Sequence, residues 1–342
     1  MDTRGRRDYR RAMAQELAPA AAPQRLALWR RATHSGLDKV FGPLPIDPAA
    51  DPGDPGLCGP GSASWRVIGD PAAIAGGFRA LLVQVLHPHA MAGVYDHSEF
   101  RADPLGRLRR TSAYVLTTTF GSTREVLAVT RAVRGTHRVV RGTAPDGRRY
   151  AAGDPHLLAW VSLALTSSFL AADQTFAARP VRGGHADAFV AEQSRIAALL
   201  DPRVDVDALA ADPDALEALR RGALPLPMLQ EGTLPASVAE LERALERYAP
   251  ELGMNEQGRE GMRFLLWPPV PPAIKLPYLP LLAGALSTIP RGQRRMFGPA
   301  ANRLASPVAL ANTRLMIAGL RRLRGPSPIA DAAEARASRA GE

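Results

Sequence analysis

The chemistry open to this chain of 342 residues is narrowed by its seven histidines, its single cysteine and a basic complement that is almost wholly arginine. Cys58 stands alone, which rules out a disulfide framework, a cysteine-based zinc site and a thiolate-ligated iron–sulfur cluster. Any metal or cofactor must therefore be held by imidazole, carboxylate or hydroxyl groups. The sequence contains no Walker loop, no glycine-rich dinucleotide fingerprint, no G-x-S-x-G elbow and no H-E-x-x-H helix. What remains are His34, His87, His89, His97, His137, His156 and His185, and the arginines near them.

Three placements can carry chemistry. His87-Pro88-His89 sets two imidazoles two residues apart, where they would not share a helix face. Pro88 removes a backbone donor, and helix breaks of this kind leave backbone groups open to a ligand. The plainer reading is that His87 caps the helix end through its dipole. His137 follows Val126, Thr130 and Val133 at helical spacing, so its ring projects from an apolar face. There it is either a core histidine hydrogen-bonded to a carbonyl or a neutral imidazole ligating a metal, haem iron first among metals. Haem requires an apolar slot, an axial imidazole and cations for two propionates. Apolar segments at 73–87 and 155–170 offer the slot, and Arg79, Arg107, Arg109, Arg110, Arg134 and Arg138 offer the cations. Finally, Arg107-x-x-x-Thr111 puts a guanidinium and a hydroxyl one turn apart. That pair can be a surface or capping pair, or it can line the edge of a pocket and orient dioxygen, a peroxide or a propionate. His97 reads as solvated, and Asp96 and Asp103 as turn and cap residues.

The elements that must position these groups are mostly helical. Asp70-Pro71 starts a helix that is apolar nearly all round and runs to His87, the pattern of a central helix. Asp103-Pro104 starts another, and Ser122…Glu125 is a capping box opening the helix that ends near His137. Val139–Tyr150 reads as a small hairpin around Pro145-Asp146-Gly147. Asp154-Pro155 starts a strongly apolar helix to about Leu170, followed by helices at Ala186–Leu200, Val206–Arg221, Ser237–Tyr248, Glu256–Trp267 and Pro307–Leu323. Residues 267–272 read as a stiff polyproline-like joint. Strands do not alternate with helices and no repeat recurs, so the class is all-α with a minor hairpin.

Composition agrees and excludes more. Hydrophobic residues make up 46%, enough for a sizeable core, and Gly (30) and Pro (31) are spread as punctuation without a collagen period. The net charge is +10, with only Lys39 and Lys275 as lysines. A GC-rich coding sequence would produce this bias, and so would a need for arginine forks on anions. The excess sits in residues 1–31, 101–149 and 291–342, while 150–290 is net acidic. Without an aromatic-interleaved basic strand, a Cys/His finger or basic heptads, no nucleic-acid partner is expected. The basic start carries no apolar segment of the secretory kind, and the longest apolar candidates, Ala73–Val85 and Leu276–Ile289, are too short or interrupted to span a bilayer. The expectation is a cytoplasmic protein without a transmembrane segment.

The segment GGFRALLVQVLHPHAMAGVYDHSEFRADPLGRLRRT, followed by FGS, THRVVRG, YAAGDPHLLAWV and FLLWPPVPP, resembles the MpaB/rubber-oxygenase (latex-clearing protein) catalytic-domain family. The likeness runs from about Trp65 to Arg324. It implies a haem b (iron) enzyme with a globin-like helical core, whose relatives cleave isoprenoid double bonds with dioxygen. It implies that the family's Arg-x-x-x-Thr motif falls on Arg107 and Thr111, and that its proximal haem histidine falls on His137. The catalytic Glu of rubber oxygenases has no counterpart here. The helix before the motif carries Gln84 and His87, which makes His87 the candidate for the distal side. Ser162 stands after Trp160-Val161, where relatives carry His.

The resulting expectation is a basic arm and Pro/Gly-rich loop over 1–64, one helical catalytic domain over 65–325 and a disordered tail over 326–342. The domain would be a haem-dependent oxygenase using dioxygen on an apolar small molecule, with a redox partner. His137 would ligate iron, Arg79, Arg110 and Arg134 would hold the cofactor, and Arg107, Thr111 and His87 would act in catalysis. The competing readings are a non-catalytic haem carrier or sensor and a cofactor-free helical binding protein.

Overall fold

The computed structural model describes residue 36 and residues 38–339, and the basic arm expected over residues 1–30 lies outside the described residues. At the centre, two helices cross. Helix α1 (Ala63–Gly69) leads into α2 (Ala72–Gln84), whose first free amide, Ala72 N–H, is taken by the Asp70 carboxylate at 2.8 Å. The partner of α2 is the long helix α6, Pro155–Phe176, capped by Asp154. Helix α6 is buried along almost its whole length, from Leu157 to Phe176, because its apolar residues surround it rather than forming a stripe. By length and composition α6 could cross a membrane, yet most of it is packed inside the protein. Gly76 makes the crossing close. A Cβ there would fall 2.6 Å from the Phe169 ring and 3.0 Å from its Cα.

After Gln84 the chain breaks, as Pro88 requires. His87 is extended and a new helix, α3 (Pro88–His97), begins with Pro88 in its first turn. His87 therefore caps the start of the second helix rather than the end of the first, its Nδ1 facing the Ala90 amide at 3.4 Å. Helices α4 (Pro104–Phe120) and α5 (Thr123–Val139) follow one another, joined by Gly121 and Ser122 and in contact with each other. Asp103 caps α4, and the Ser122–Glu125 box caps α5 in both directions. The hairpin follows: β1 (Arg141–Thr143) pairs antiparallel with β2 (Arg149–Ala151), Gly142 opposite Tyr150. Gly147, at φ +82°, makes its turn. The hairpin packs on α3, with His89 held to Asp146 at 3.0 Å.

Helices α7 (Gly184–Ala198), α8 (Val206–Ala211), α9 (Pro213–Arg220), α10 (Pro227–Gln230), α11 (Val238–Tyr248) and α12 (Glu256–Leu266) complete the middle of the chain. Pro213 divides the helix expected over 206–221 into α8 and α9. The polyproline joint gives way to a helix that prolines would forbid in isolation: α13 (Pro272–Ser287) contains Pro277 and Pro280. Packing against α2 and α16 (Pro307–Arg324) supports it, and Thr313 of α16 donates to the Pro280 carbonyl at 2.7 Å. Short helices α14 (Arg291–Met296) and α15 (Pro299–Leu304) connect the two.

The tail corrects an expectation. Residues 328–337 form α17 (Pro328–Ala337), which packs on α1 and α4 and buries Arg336 completely. Its apolar side, Ile329 and Ala333, joins the main core, so order here comes from tertiary burial that local composition does not announce. The loop over 43–63 is irregular as expected, but it is built in: Ile46 and Leu57 are buried, and Asp54 accepts from the Thr123 hydroxyl at 2.9 Å. The protein is thus all-α with one small two-stranded sheet.

Candidate active site

The α4–α5 pair is buried at its turn, through Thr117–Phe120 on one side and Thr123, Val126, Leu127 and Thr130 on the other. Away from the turn both helices become half-exposed. Arg107 lies near the start of α4 and His137 near the end of α5, each away from that turn. His137 is half-buried, and its Nδ1 is buried without a hydrogen-bond partner. Burial alone lowers its pKa, which keeps the ring neutral near pH 7. It is therefore not the core histidine bonded to a carbonyl that a purely structural role would make; its nitrogen is left uncommitted by the described residues. Arg107 donates to the Ser98 hydroxyl and meets no carboxylate among the described residues. Its surroundings lower its pKa by desolvation, reinforced by Arg110. Thr111 is exposed, and its hydroxyl returns to the Arg107 carbonyl at 3.1 Å, tying the motif together through the backbone.

The other predicted cations separate. Arg79, on α2, is only 6% exposed and donates to the Ser168 hydroxyl of α6 at 2.9 Å. Its Nε has no partner, and no carboxylate among the described residues pairs with it. Desolvation lowers its pKa to about 10. Arg110 is solvent-facing and lies 3.5 Å from Asp103. The guanidinium of Arg134 is already engaged: it donates to the carbonyls of Val204 at 2.6 Å and Pro202 at 3.1 Å, fastening the turn before α8 to α5. These two bonds give Arg134 a structural task in the fold.

His87 is not brought to Arg107, Thr111 or His137 by any described hydrogen bond, ion pair or ring contact. It is 1% exposed and sits among Trp160 (5.4 Å between ring centres), Tyr248 (6.3 Å) and His156 (6.5 Å). Its Nε2 lies 3.4 Å from Glu251 Oε2, out of line for a hydrogen bond, and has no other partner. Burial pushes its pKa down to about 4, with Glu251 opposing and His89 and His156 adding to the fall. His156 Nε2 is 2.9 Å from both Glu251 oxygens, and Tyr248 stacks on the His156 ring at 4.5 Å. Glu251 belongs to a short 3-10 turn, Ala249–Glu251, after α11. Sequence reading named His156 only as one of seven histidines and passed over Glu251 and Tyr248. The one local signal was Asp154-Pro155, which fixes His156 in the first turn of α6.

The fold and these groups define a helical protein with an uncommitted, half-buried imidazole on α5, an arginine–threonine turn on α4 and a guanidinium buried without a carboxylate where α2 packs on α6. Residues 65–322 match the ER-bound oxygenase mpaB/B′/rubber oxygenase catalytic-domain model, and the chain belongs to that family. No curated protein and no solved structure matches it. Membership supplies the coarse class: an oxygenase-type catalytic domain, with a small molecule and dioxygen as its reactants.

Proposed function

We propose that the protein is a haem b-dependent oxygenase acting on an apolar small molecule, with His137 as the protein ligand to iron. The observation that carries this reading is the state of His137: an imidazole kept neutral by burial, with a buried nitrogen that the described residues leave without a partner. Ligation requires a neutral ring with one nitrogen free for the metal. The family supports the oxygenase class.

When bound, haem would supply an iron centre able to bind and activate dioxygen. The chain's own residues would do the rest. Arg107, held by Ser98 and free of a carboxylate, would bind an anionic propionate or orient an oxygen-bearing ligand. Thr111, one turn along and linked to Arg107 through the backbone, would offer a hydroxyl at the same edge. Arg79 would provide a second buried cation, since an unpaired guanidinium in the core is costly unless an anion completes it. The half-exposed far end of the α4–α5 pair would admit an apolar substrate.

The test is an absorption spectrum of protein expressed with added haem precursor. The wild-type chain should show a Soret band, and His137→Ala should lose it while retaining helical circular dichroism. A wild-type chain that stays colourless after haem addition, or a His137→Ala variant with an unaltered spectrum, would overturn the assignment.

A further inference from the structure

His87, His156 and Glu251 converge from three separated segments, and we propose that they form a site for a divalent first-row transition cation, separate from His137, with which they share no described contact. One donor atom from each residue lies within 4.8 Å of the others. A single ion with nitrogen and oxygen ligands at about 2.0–2.2 Å brings its donors to roughly 3.5 Å of one another, a contraction that side-chain rotation can supply. The segments are well anchored. His87 occupies the break between α2 and α3, His156 the first turn of α6, and the chain just beyond Glu251 is tied back by Gly253 N–H donating to the Leu86 carbonyl at 2.8 Å.

The hydrogen bonds around His156 point to a cation. Tyr248 Oη donates its only proton to the His156 carbonyl at 2.7 Å. The same oxygen is 3.2 Å from His156 Nδ1, so there the ring nitrogen must be the donor. In a neutral ring that leaves a lone pair on Nε2, aimed at both oxygens of Glu251 from 2.9 Å. Two acceptors face each other unless a positive charge lies between them, either a proton on Nε2 or a metal ion. Imidazoles that ligate metals show this arrangement, one nitrogen on the ion and the other N–H donated to a fixed oxygen.

His87 is the second observation. Its Nε2 is buried and unpartnered, 3.4 Å from an oxygen of the same carboxylate. Ligation through Nε2 would place the ring proton on Nδ1, giving up the 3.4 Å contact with the Ala90 amide, the longest and weakest of the caps at helix starts described above. Two imidazoles and one carboxylate suit zinc, iron(II) or cobalt(II), whereas calcium and magnesium prefer all-oxygen sets. Three protein ligands leave coordination positions open. His156, 52% exposed, gives the ion an entry from solvent.

The experiment titrates the full-length chain, stripped by chelator dialysis at pH 7.5, with Co2+ followed by visible absorption and then with Zn2+. One equivalent of Co2+ should develop the intense ligand-field bands of a low-coordinate site, and Zn2+ should bleach them. Glu251→Gln and His156→Gln alter partly exposed side chains and should each weaken binding by more than about 100-fold, since losing even an outer-shell partner costs roughly 10–100-fold. His89→Ala, which neighbours the cluster without belonging to it, should bind as the wild type does, and metal addition should perturb the Ala90 amide in the NMR spectrum. Absence of saturable Co2+ binding by the wild type, or unchanged affinity in both the Glu251 and His156 variants, would overturn the site and leave a proton-bridged triad in its place. This inference does not depend on the haem reading, and the Soret test of His137 neither supports nor weakens it.

Discussion

Arg336 of α17 donates Nη2 to the carbonyl of Phe120, the last residue of α4, at 2.8 Å across 216 positions of sequence. The same guanidinium donates Nε to the Asp54 carbonyl at 3.0 Å and lies 3.6 Å from Glu125 of the α5 capping box. One buried arginine thus closes the turn from which α4 and α5 diverge toward Arg107 and His137. The C-terminal helix is part of the frame that sets the candidate site.

Arg336→Ala should therefore destabilise the protein by about 3 kcal/mol, because it leaves the carbonyls of Phe120 and Asp54 without their donor and empties a fully buried site. The check is the denaturant midpoint. An unchanged midpoint would mean that α17 contributes nothing to the frame.

Gly76→Ala tests the central crossing. The added methyl would press on the Phe169 ring and backbone, and α6 must shift to admit it. Overpacking of this kind costs roughly 1–3 kcal/mol. Thermal unfolding should show a lower midpoint, and Gly77→Ala, next along the helix with nothing within 4 Å of the new atom, should show a much smaller change.

Arg79→Met separates stability from binding. The guanidinium is buried without a carboxylate, so a flexible apolar side chain of similar length should leave the cofactor-free protein as stable or more stable. If Arg79 completes its charge with a haem propionate, the same variant should release haem faster. Haem transfer to an acceptor protein measures the rate, and an unaltered rate would remove Arg79 from the cofactor site.

Asp173 should give stability an inverted pH dependence. Its carboxyl is 2% exposed, and burial raises its pKa to about 6 from 3.8, although it accepts from the Val181 amide at 2.7 Å. The unfolded chain releases this proton first, so the residue's cost is absent below about pH 4 and grows to full size above about pH 6. Asp173→Asn keeps an acceptor for Val181 and removes the charge. It should stabilise by up to about 3 kcal/mol at pH 7.5 and by nothing at pH 4. Equal effects at the two pH values would contradict the burial argument.

Much of the local structure was legible because its causes are local. Asp70-Pro71, Asp103-Pro104, Ser122…Glu125 and Asp154-Pro155 each start a helix through a side chain and an amide two or three residues apart. Pro145-Asp146-Gly147 turns the hairpin for the same reason. The spacing of Val126, Thr130, Val133 and His137 put the histidine on the correct helix, and the structure then left its Nδ1 uncommitted. Helix α13 was missed because Pro277 and Pro280 argue against a helix at short range, and only α2 and α16 argue for one. The structural bonds of Arg134 were not legible, because nothing near it in sequence announces the carbonyls of Pro202 and Val204.

Caps, breaks, helical class and the motif that reveals the family follow from order along the chain, since each depends on neighbours within about one turn. Which arginine is spent on carbonyls, which histidine meets Glu251 across 95 positions, and how a fully buried Arg336 orders the last helix depend on which surfaces the core brings together. Those pairings are set by the summed burial of many apolar side chains. No single residue carries that sum, so it could be read only once α2 and α6 had crossed and the rest of the chain had packed around them.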